Sequence, residues 1–181
     1  MESMVKKDFW KGKRVLVTGA TGMVGSWLVK ELIARRAIVV GLILDHDRQS
    51  ELFRSGDIEH IYSVDGKLED FSCVERAINQ YEIDTVFHLG AQTIVGSAYR
   101  SPLATFESNI RGSYHVLEAC RLHPRLVKRI VVASSDKAYG EQKNFPIWNI
   151  CRLREDFLTK FPKVVWIFSL NPMRDPMIFL L

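Results

Sequence analysis

A doubly wound parallel α/β sheet with strand order 3-2-1-4-5 is the fold class that this 181-residue sequence predicts. Two observations point to it. Short β-branched runs alternate with segments whose apolar residues recur at helical spacing, and that alternation implies right-handed crossovers between parallel strands. A glycine-rich turn also joins the first run directly to the first helical segment, which is the setting of a phosphate-binding turn in such sheets. The length suits one domain with a little over, and 47% apolar with 25% charged residues excludes a disordered chain.

The strand candidates are Arg14–Thr18 (RVLVT), Ala37–Leu44 (AIVVGLIL), Ile58–Val64, Asp84–Leu89 (DTVFHL) and Arg129–Ala133 (RIVVA). Helical spacing predicts a helix over Met23–Arg36, with Val24, Trp27, Leu28 and Leu32 on its packing face, and a second over Phe71–Tyr81, with Val74, Ala77, Ile78 and Tyr81 inward. A third opens with Ser101 as N-cap and Pro102 at the first helical position. It carries Leu103, Phe106, Ile110, Tyr114 and Leu117 on one face and closes at Pro124. Beyond residue 140 there is no glycine, while four of the six prolines lie there. That shift divides the chain into a domain over 1–146 and an atypical tail over 147–181, with one amphipathic stretch over Asn149–Lys160 and a candidate sixth strand at Val164–Leu170.

Composition narrows the function classes. The longest apolar run has eight residues, far below the roughly 20 needed to cross a bilayer. The amino-terminal segment is basic but has no apolar stretch behind it, so a cytoplasmic protein is expected. Cys73, Cys120 and Cys151 are odd in number and widely spaced, which predicts reduced packing residues and neither a disulfide framework nor a zinc site. The formal charge of +4 has two small basic clusters, Lys6 to Arg14 and Arg121 to Arg129, which read as solvated faces and not as a nucleic-acid surface.

The chemistry concentrates in Gly19-Ala-Thr21-Gly22-Met23-Val24-Gly25, between the first strand and first helix. Gly19 permits the tight turn, Gly22 lets backbone approach a pyrophosphate, and Gly25 lets helix and strand pack closely, while the helix amides face the phosphates. Asp45 lies 20 residues beyond Gly25 at the end of the second strand, where a carboxylate accepts hydrogen bonds from the adenosine ribose and repels a 2′-phosphate. It argues for NAD over NADP, although Arg48, three residues on, could serve a 2′-phosphate. His46 reads as a surface loop histidine.

The run VLVTGATGMVG resembles the extended short-chain dehydrogenase/reductase family of nucleotide-sugar epimerases and 4,6-dehydratases. His88-Leu89-Gly90-Ala91-Gln92 is similar to that family's HLAA segment beside the cofactor. Ser97 with Ser101-Pro102, then Asn109-x-x-Gly112-Ser113, resemble its substrate-side loop and Asn-x-x-Gly-Thr helix. Ser134-Ser135-Asp136-Lys137-Ala-Tyr139-Gly140 follows the fifth strand, so the resemblance spans about residues 9 to 146. It implies a Rossmann domain whose NAD contacts include the glycine turn, Asp45, Arg48, Lys67, Leu68, His88 to Ala91, Asn109 and Ser134.

Asp136-Lys137, the opening Phe9-Trp10-x-Gly12-Lys13-Arg14-Val15 and Gly25-Ser26-Trp27-Leu28 look like the CDP-glucose 4,6-dehydratase branch, with a 4-epimerase as the alternative. The resemblance implies that NAD takes hydride from C4 of the sugar, water leaves from C5 and C6, and the hydride returns to C6. Ser135 would hydrogen-bond the C4 oxygen, Asp136 would act as general acid on the C6 hydroxyl, and Lys137 would stand where other dehydratases carry a carboxylate base. On composition alone Asp136 and Lys137 also read as an exposed ion pair.

Three features depart from the family. Its Tyr-x-x-x-Lys pair should follow on the next helix, but positions 155–170 hold no tyrosine. Tyr139-Gly-Glu-Gln-Lys143 fits the pattern literally, yet begins four residues after Ser135 in an expected loop, where side chains four apart need not share a face. Lys67 stands where the family usually has an aspartate against adenine, with Asp65 as a substitute. The chain also lacks the length for the family's substrate domain. A domain that binds NAD without turnover is therefore a second expectation, as is self-association through Trp148, Trp166 and Met177–Leu181, which have no evident partner.

Overall fold

The computed structural model describes residues 9–134 and, as backbone, 178–180. Its elements are β1 (Arg14–Thr18), α1 (Met23–Ala34), β2 (Ile38–Ile43), α2 (Glu51–Arg54), β3 (Tyr62–Asp65), α3 (Phe71–Gln80), β4 (Thr85–His88), α4 (Val95–Arg100), α5 (Pro102–Phe106), α6 (Gly112–Leu122), β5 (Arg129–Ala133) and β6 (Ile178–Leu180). The sheet runs β3-β2-β1-β4-β5-β6 and every pairing is parallel. The order 3-2-1-4-5 is the expected one.

Alternation along each strand builds two cores. Leu16, Val40, Leu42 and Val86 pack with Val74 and Ile78 of α3 and Val116 and Ala119 of α6. Val15, Val17, Val39, Ile43, Phe87 and Val131 face the opposite way, against Val29 and Leu32 of α1 and Leu52 of α2. A strand covered on both faces can be apolar on both, which is why β2 reads as an unbroken hydrophobic run and β1 and β4 have apolar centres.

Two helices end alike. Past α1, Ala37 donates its amide to Leu32 and Arg36 donates to Ile33, with Arg36 at φ +61; past α3, Ile83 donates to Ile78 and Glu82 to Asn79, with Glu82 at φ +49. Both are six-to-one, five-to-two C-caps, each made with a residue other than glycine in the left-handed position. The caps turn the chain straight back into β2 and β4.

Several local expectations change. The apolar pattern starts the third strand at Ile58, but Gly56 at φ +77 leads into a 3₁₀ turn over Asp57–His60, and β3 is only Tyr62–Asp65. As an edge strand with mostly exposed side chains it has little apolar signal to mark its start. The long third helix is three pieces: α5, a π turn over Glu107–Arg111, and α6. The π turn adds a residue per turn and rotates the face, so Thr105, Asn109, Gly112, Ser113, Val116 and Leu117 point inward while Leu103, Phe106 and Tyr114 are exposed. Ser101 makes no side-chain cap; its carbonyl accepts from the Thr105 amide and hydroxyl. The place beyond β5 is filled by Ile178–Leu180, in register with Val131–Ala133. That gives this part of the expected unpartnered tail a backbone partner. Val164–Leu170 and Asn149–Lys160 lie outside the described residues.

Cys73 and Cys120 are both buried and unbridged. Burial, then the Asp70 charge, raises the Cys73 thiol, and burial pushes Cys120 up to about 12. Because the folded value lies above the ordinary value of about 8.5, the buried neutral thiol contributes stability below that value, and the contribution fades as pH rises toward 12. At pH 8, iodoacetamide followed by peptide mass spectrometry will find Cys73 and Cys120 unmodified in the folded chain and both modified in urea. Relief of the left-handed strain predicts that Arg36→Gly stabilises the fold by about 0.5–1 kcal/mol, read as a higher urea midpoint at unchanged slope.

Candidate functional site

Most segments singled out in the sequence follow the carboxyl end of a strand: Gly19–Gly25 after β1, Asp45 and Arg48 after β2, Lys67 and Leu68 after β3, Leu89–Gln92 after β4, and Ser134 after β5, while His88 ends β4 itself and Asn109 lies in the π turn before α6. In a doubly wound sheet the ligand crevice lies at these ends, where the strand order reverses between β1 and β4.

The first turn is held by close contacts that exclude side chains. A Cβ on Gly25 would stand 2.0 Å from the Gly19 carbonyl oxygen, and one on Gly19, at φ +71, would stand 2.7 Å from the Gly90 nitrogen. At Gly22 the one neighbour among the described residues is the Gly19 oxygen at 3.2 Å, and the rest is open space that a side chain would fill. The Gly22 amide closes the turn on the Gly19 carbonyl at 3.0 Å, and the first helical bond runs from Ser26 to Gly22 at 2.9 Å. The amides of Met23, Val24 and Gly25 therefore have no acceptor within the helix. No side chain caps α1 and its first turn has no acid, so nothing in the helix competes for an anion at its positive end. These features fit a pyrophosphate.

The packing of Gly25 also corrects the predicted face of α1. Its buried residues are Gly25, Ser26, Val29 and Leu32, whereas Met23, Val24 and Trp27 are exposed. Apolar spacing pointed Val24 and Trp27 inward. Close contact at Gly25 fixes the roll of the helix and turns them out, which leaves Met23 and Val24 on the crevice side.

Behind the crevice runs a buried polar chain that joins His88, Ser113 and Asn109 of the sequence motifs to Thr18, for which no motif assigns a role. The Thr18 hydroxyl lies 2.8 Å from His88 Nδ1, His88 Nε2 lies 2.9 Å from the Ser113 hydroxyl, and Ser113 donates to the Asn109 carbonyl at 2.7 Å. Since the Ser113 proton is spent on that carbonyl, Nε2 carries a proton and donates to Ser113. In a neutral ring, Nδ1 then accepts from Thr18, whose oxygen accepts from the Gly90 amide at 3.1 Å. The direction is fixed from Gly90 to Asn109. A polar Thr18 closing the apolar strand β1 was the available signal.

Asn109 binds both backbone groups of Gln92: the Gln92 amide donates to Oδ1 at 2.7 Å and Nδ2 donates to the Gln92 carbonyl at 3.0 Å. It thus holds the segment after β4 in place. Leu68 wedges between two glycines, 3.0 Å from where a Gly90 Cβ would stand and 2.5 Å from one on Gly112. Its carbonyl accepts from His115 Nδ1 at 3.2 Å. Gly19, Leu68, Gly90 and Gly112 therefore form one tight line across the strand ends.

On the ribose side, Asp45, Arg48 and Lys67 are exposed. His46 Nε2 meets Asp65 Oδ1 at 2.9 Å, so the Asp65 carboxylate is shared with a histidine across the β2 and β3 ends. The Ser134 hydroxyl oxygen is buried and has no hydrogen-bond partner among the described residues, an orphan of the kind a ligand satisfies. Ser135, Asp136, Lys137, Tyr139 and Lys143 lie outside the described residues. Among the described residues no cluster of His, Cys, Asp and Glu could hold a metal, and no helix is long and apolar enough to cross a membrane.

Residues 16–151 match the family model described as GDP-mannose 4,6 dehydratase. The chain belongs to this family. Relatives of this dehydratase family include the CDP-glucose 4,6-dehydratase of Salmonella typhimurium, 37% identical over 145 residues, which covers 77% of this chain and 39% of that protein. The UDP-glucose 4-epimerase of Halalkalibacterium halodurans is 29% identical over 133 residues, covering 74% and 38%. The chain thus spans about two-fifths of these relatives' length. Among solved structures, the Thermus thermophilus UDP-glucose 4-epimerase in complex with NAD is 32% identical with a TM-score of 0.68, covering 84% of this chain and 46% of that one.

The glycine contacts separate folding from binding. Gly25→Ala places a methyl against the Gly19 carbonyl and will destabilise the fold by roughly 2–4 kcal/mol, read as a lower urea midpoint. Gly22→Val will leave the circular dichroism spectrum and most of the stability intact while abolishing dinucleotide binding by calorimetry.

Proposed function

We propose that this chain is the cofactor-binding domain of an NAD-dependent nucleotide-sugar 4,6-dehydratase, with a CDP-glucose-like substrate. The observation that carries the reading is the uncapped start of α1, with three amides that have no acceptor within the helix and the open space at Gly22, set beside a second strand followed by Asp45. The dehydratase at 37% identity supports the substrate class. A domain over 1–146 followed by a distinct tail over 147–181 belongs to this proposal. So does a cytoplasmic location, supported by the unbridged cysteines among the described residues.

Bound NAD supplies a reversible hydride acceptor at C4 of the sugar. The α1 amides and Gly22 hold its pyrophosphate, Asp45 accepts from the adenosine ribose, and Leu68 with Gly90 and Ala91 bounds the adenine side of the crevice. Lys67, where the family has an acid, offers a donor toward the base, and Arg48 stands at the edge of the ribose site. Ser134 offers its orphaned hydroxyl toward the nicotinamide end. Ser135 binds the C4 oxygen, Asp136 protonates the departing C6 hydroxyl, and Lys137 takes the adjoining position. These last roles rest on the resemblance of the motif Ser135-Asp136-Lys137. A 4-epimerase is the second reading, favoured by the epimerase relatives in sequence and structure.

The absence of tyrosine at 155–170 extends the proposal: the chain binds NAD and turns over nucleotide sugar slowly. A phenolate that takes the C4 proton is worth about 10² to 10⁴ in rate. Calorimetry with the 181-residue chain should show NAD bound more tightly than NADP, with Asp45→Ala erasing the preference. Incubation with NAD and CDP-glucose should yield 4-keto product well below about 1 per second. Equal affinity for the two cofactors removes Asp45 from its role, and turnover at ordinary enzymatic rates overturns the slow-turnover reading.

A further inference from the structure

Ser50 is buried, 7% exposed, and sits at the N-cap position of α2, yet its hydroxyl makes no cap bond. Serine is favoured at that position because its oxygen accepts from an amide of the first turn. Here the hydroxyl instead donates to the Thr21 carbonyl at 2.7 Å, across 29 residues of sequence, and lies 3.2 Å from the Ser26 hydroxyl. With the Ser50 proton committed to Thr21 and the Ser26 proton directed to the Gly22 carbonyl at 2.8 Å, the two hydroxyls pack side by side and neither has a proton left for the other.

The consequence lies in the Thr21–Gly22 peptide. A trans peptide points its carbonyl and its N–H in opposite directions. In this chain both ends are tied: the Gly22 amide to the Gly19 carbonyl at 3.0 Å, and the Thr21 carbonyl to Ser50. The plane of that peptide is therefore fixed in the middle of the glycine turn. If the Ser50 donor is lost, the Thr21 oxygen lacks its partner and is free to turn toward the open side of Gly22, where its partial negative charge opposes an incoming phosphate. Ser50 is also the end of the segment that carries Asp45, since its amide closes a turn on the Asp47 carbonyl at 3.0 Å.

We propose that Ser50 is a positioning residue for the cofactor, holding the Thr21 carbonyl off the phosphate-receiving side of the Gly19–Gly25 turn. This rests on the reading of that turn as a dinucleotide site. Its specific signature is that Ser50 matters for the pyrophosphate and not for the nucleoside. A merely structural role would weaken both alike.

The test titrates the 181-residue chain and two variants, Ser50→Ala and the near-isosteric Ser50→Cys, with NAD, ADP and adenosine, using calorimetry for the first two and ligand-observed NMR for adenosine. Thermal melts by circular dichroism confirm that each variant is folded. Loss of one buried hydrogen bond predicts NAD and ADP weakened about tenfold in both variants, with adenosine unchanged. Unchanged ADP affinity, or equal loss for ADP and adenosine, overturns the proposal while leaving the dinucleotide site standing. Failure of the unaltered chain to bind NAD or ADP overturns the site itself, and the role of Ser50 with it. If Ser50→Ala does not fold, Ser50→Cys decides the outcome alone.

Discussion

The approach of Gly25 to the Gly19 carbonyl is the contact on which the arrangement of the cofactor end depends. No side chain fits at Gly25, because its Cβ would lie 2.0 Å from that oxygen. Helix α1 can therefore lie against the turn that precedes it, and its roll about its own axis is set by that contact. Ser26, Val29 and Leu32 follow Gly25 inward, while Met23, Val24 and Trp27 turn out. The same contact sets where the first turn of α1 begins, and the amides of that turn have no acceptor within the helix. Packing and ligand-binding geometry thus have one cause, and a larger residue at Gly25 damages both.

Behind the turn the structure uses polar groups where a core would ordinarily be apolar. Thr18, His88 and Ser113 are buried and hydrogen-bonded in one direction, from the Gly90 amide to the Asn109 carbonyl. A buried donor or acceptor left unmatched costs about 1–3 kcal/mol, so such a chain tolerates few alternatives in the positions of its members. Asn109 extends it by gripping both backbone groups of Gln92. The segment Leu89–Gln92 is consequently held from below by Thr18 and from the side by Asn109, although it belongs to no helix or strand. The line of Gly19, Gly90, Leu68 and Gly112 then brings the segments after β1, β4 and β3 and the start of α6 within van der Waals reach of one another. Leu68, read only as a cofactor neighbour, is also the wedge that spaces them.

Membership of the dehydratase family and the departures from it coexist in the same crevice. The features to which the proposal assigns the dinucleotide are all present: the glycines, the uncapped helix, the acid after β2 and the orphaned Ser134 hydroxyl. The departures, Lys67 and the tyrosine missing from positions 155–170, fall on groups to which the resemblance assigns the base and the substrate. Asp65, two residues before Lys67, is engaged with His46 and bridges the ends of β2 and β3. On the proposed reading, such a distribution would keep the cofactor's binding energy and lose part of the proton transfer that would use it.

The sequence by itself determined the strand order, the crevice at the strand ends and the glycine turn, because these follow from local pattern: two-sided burial makes strands uniformly apolar, and a turn that admits no Cβ needs glycine wherever it occurs. The ends of α1 and α3 were legible within one or two residues for the same reason. What only the tertiary structure decided is which way each helix faces and where buried polar groups go. Apolar spacing placed Val24 and Trp27 inward on α1, and Leu103, Phe106 and Tyr114 inward on the later helices; a 2.0 Å constraint at Gly25 and a π turn over Glu107–Arg111 reversed both. Ser50 drew no notice because its partner, Thr21, lies 29 residues away, and the bond that joins Ser113 of the Asn109-x-x-Gly112-Ser113 motif to His88 spans 25. Hydrogen bonds over such separations leave no periodic trace in a sequence, since they exist only once the sheet has brought the strand ends together.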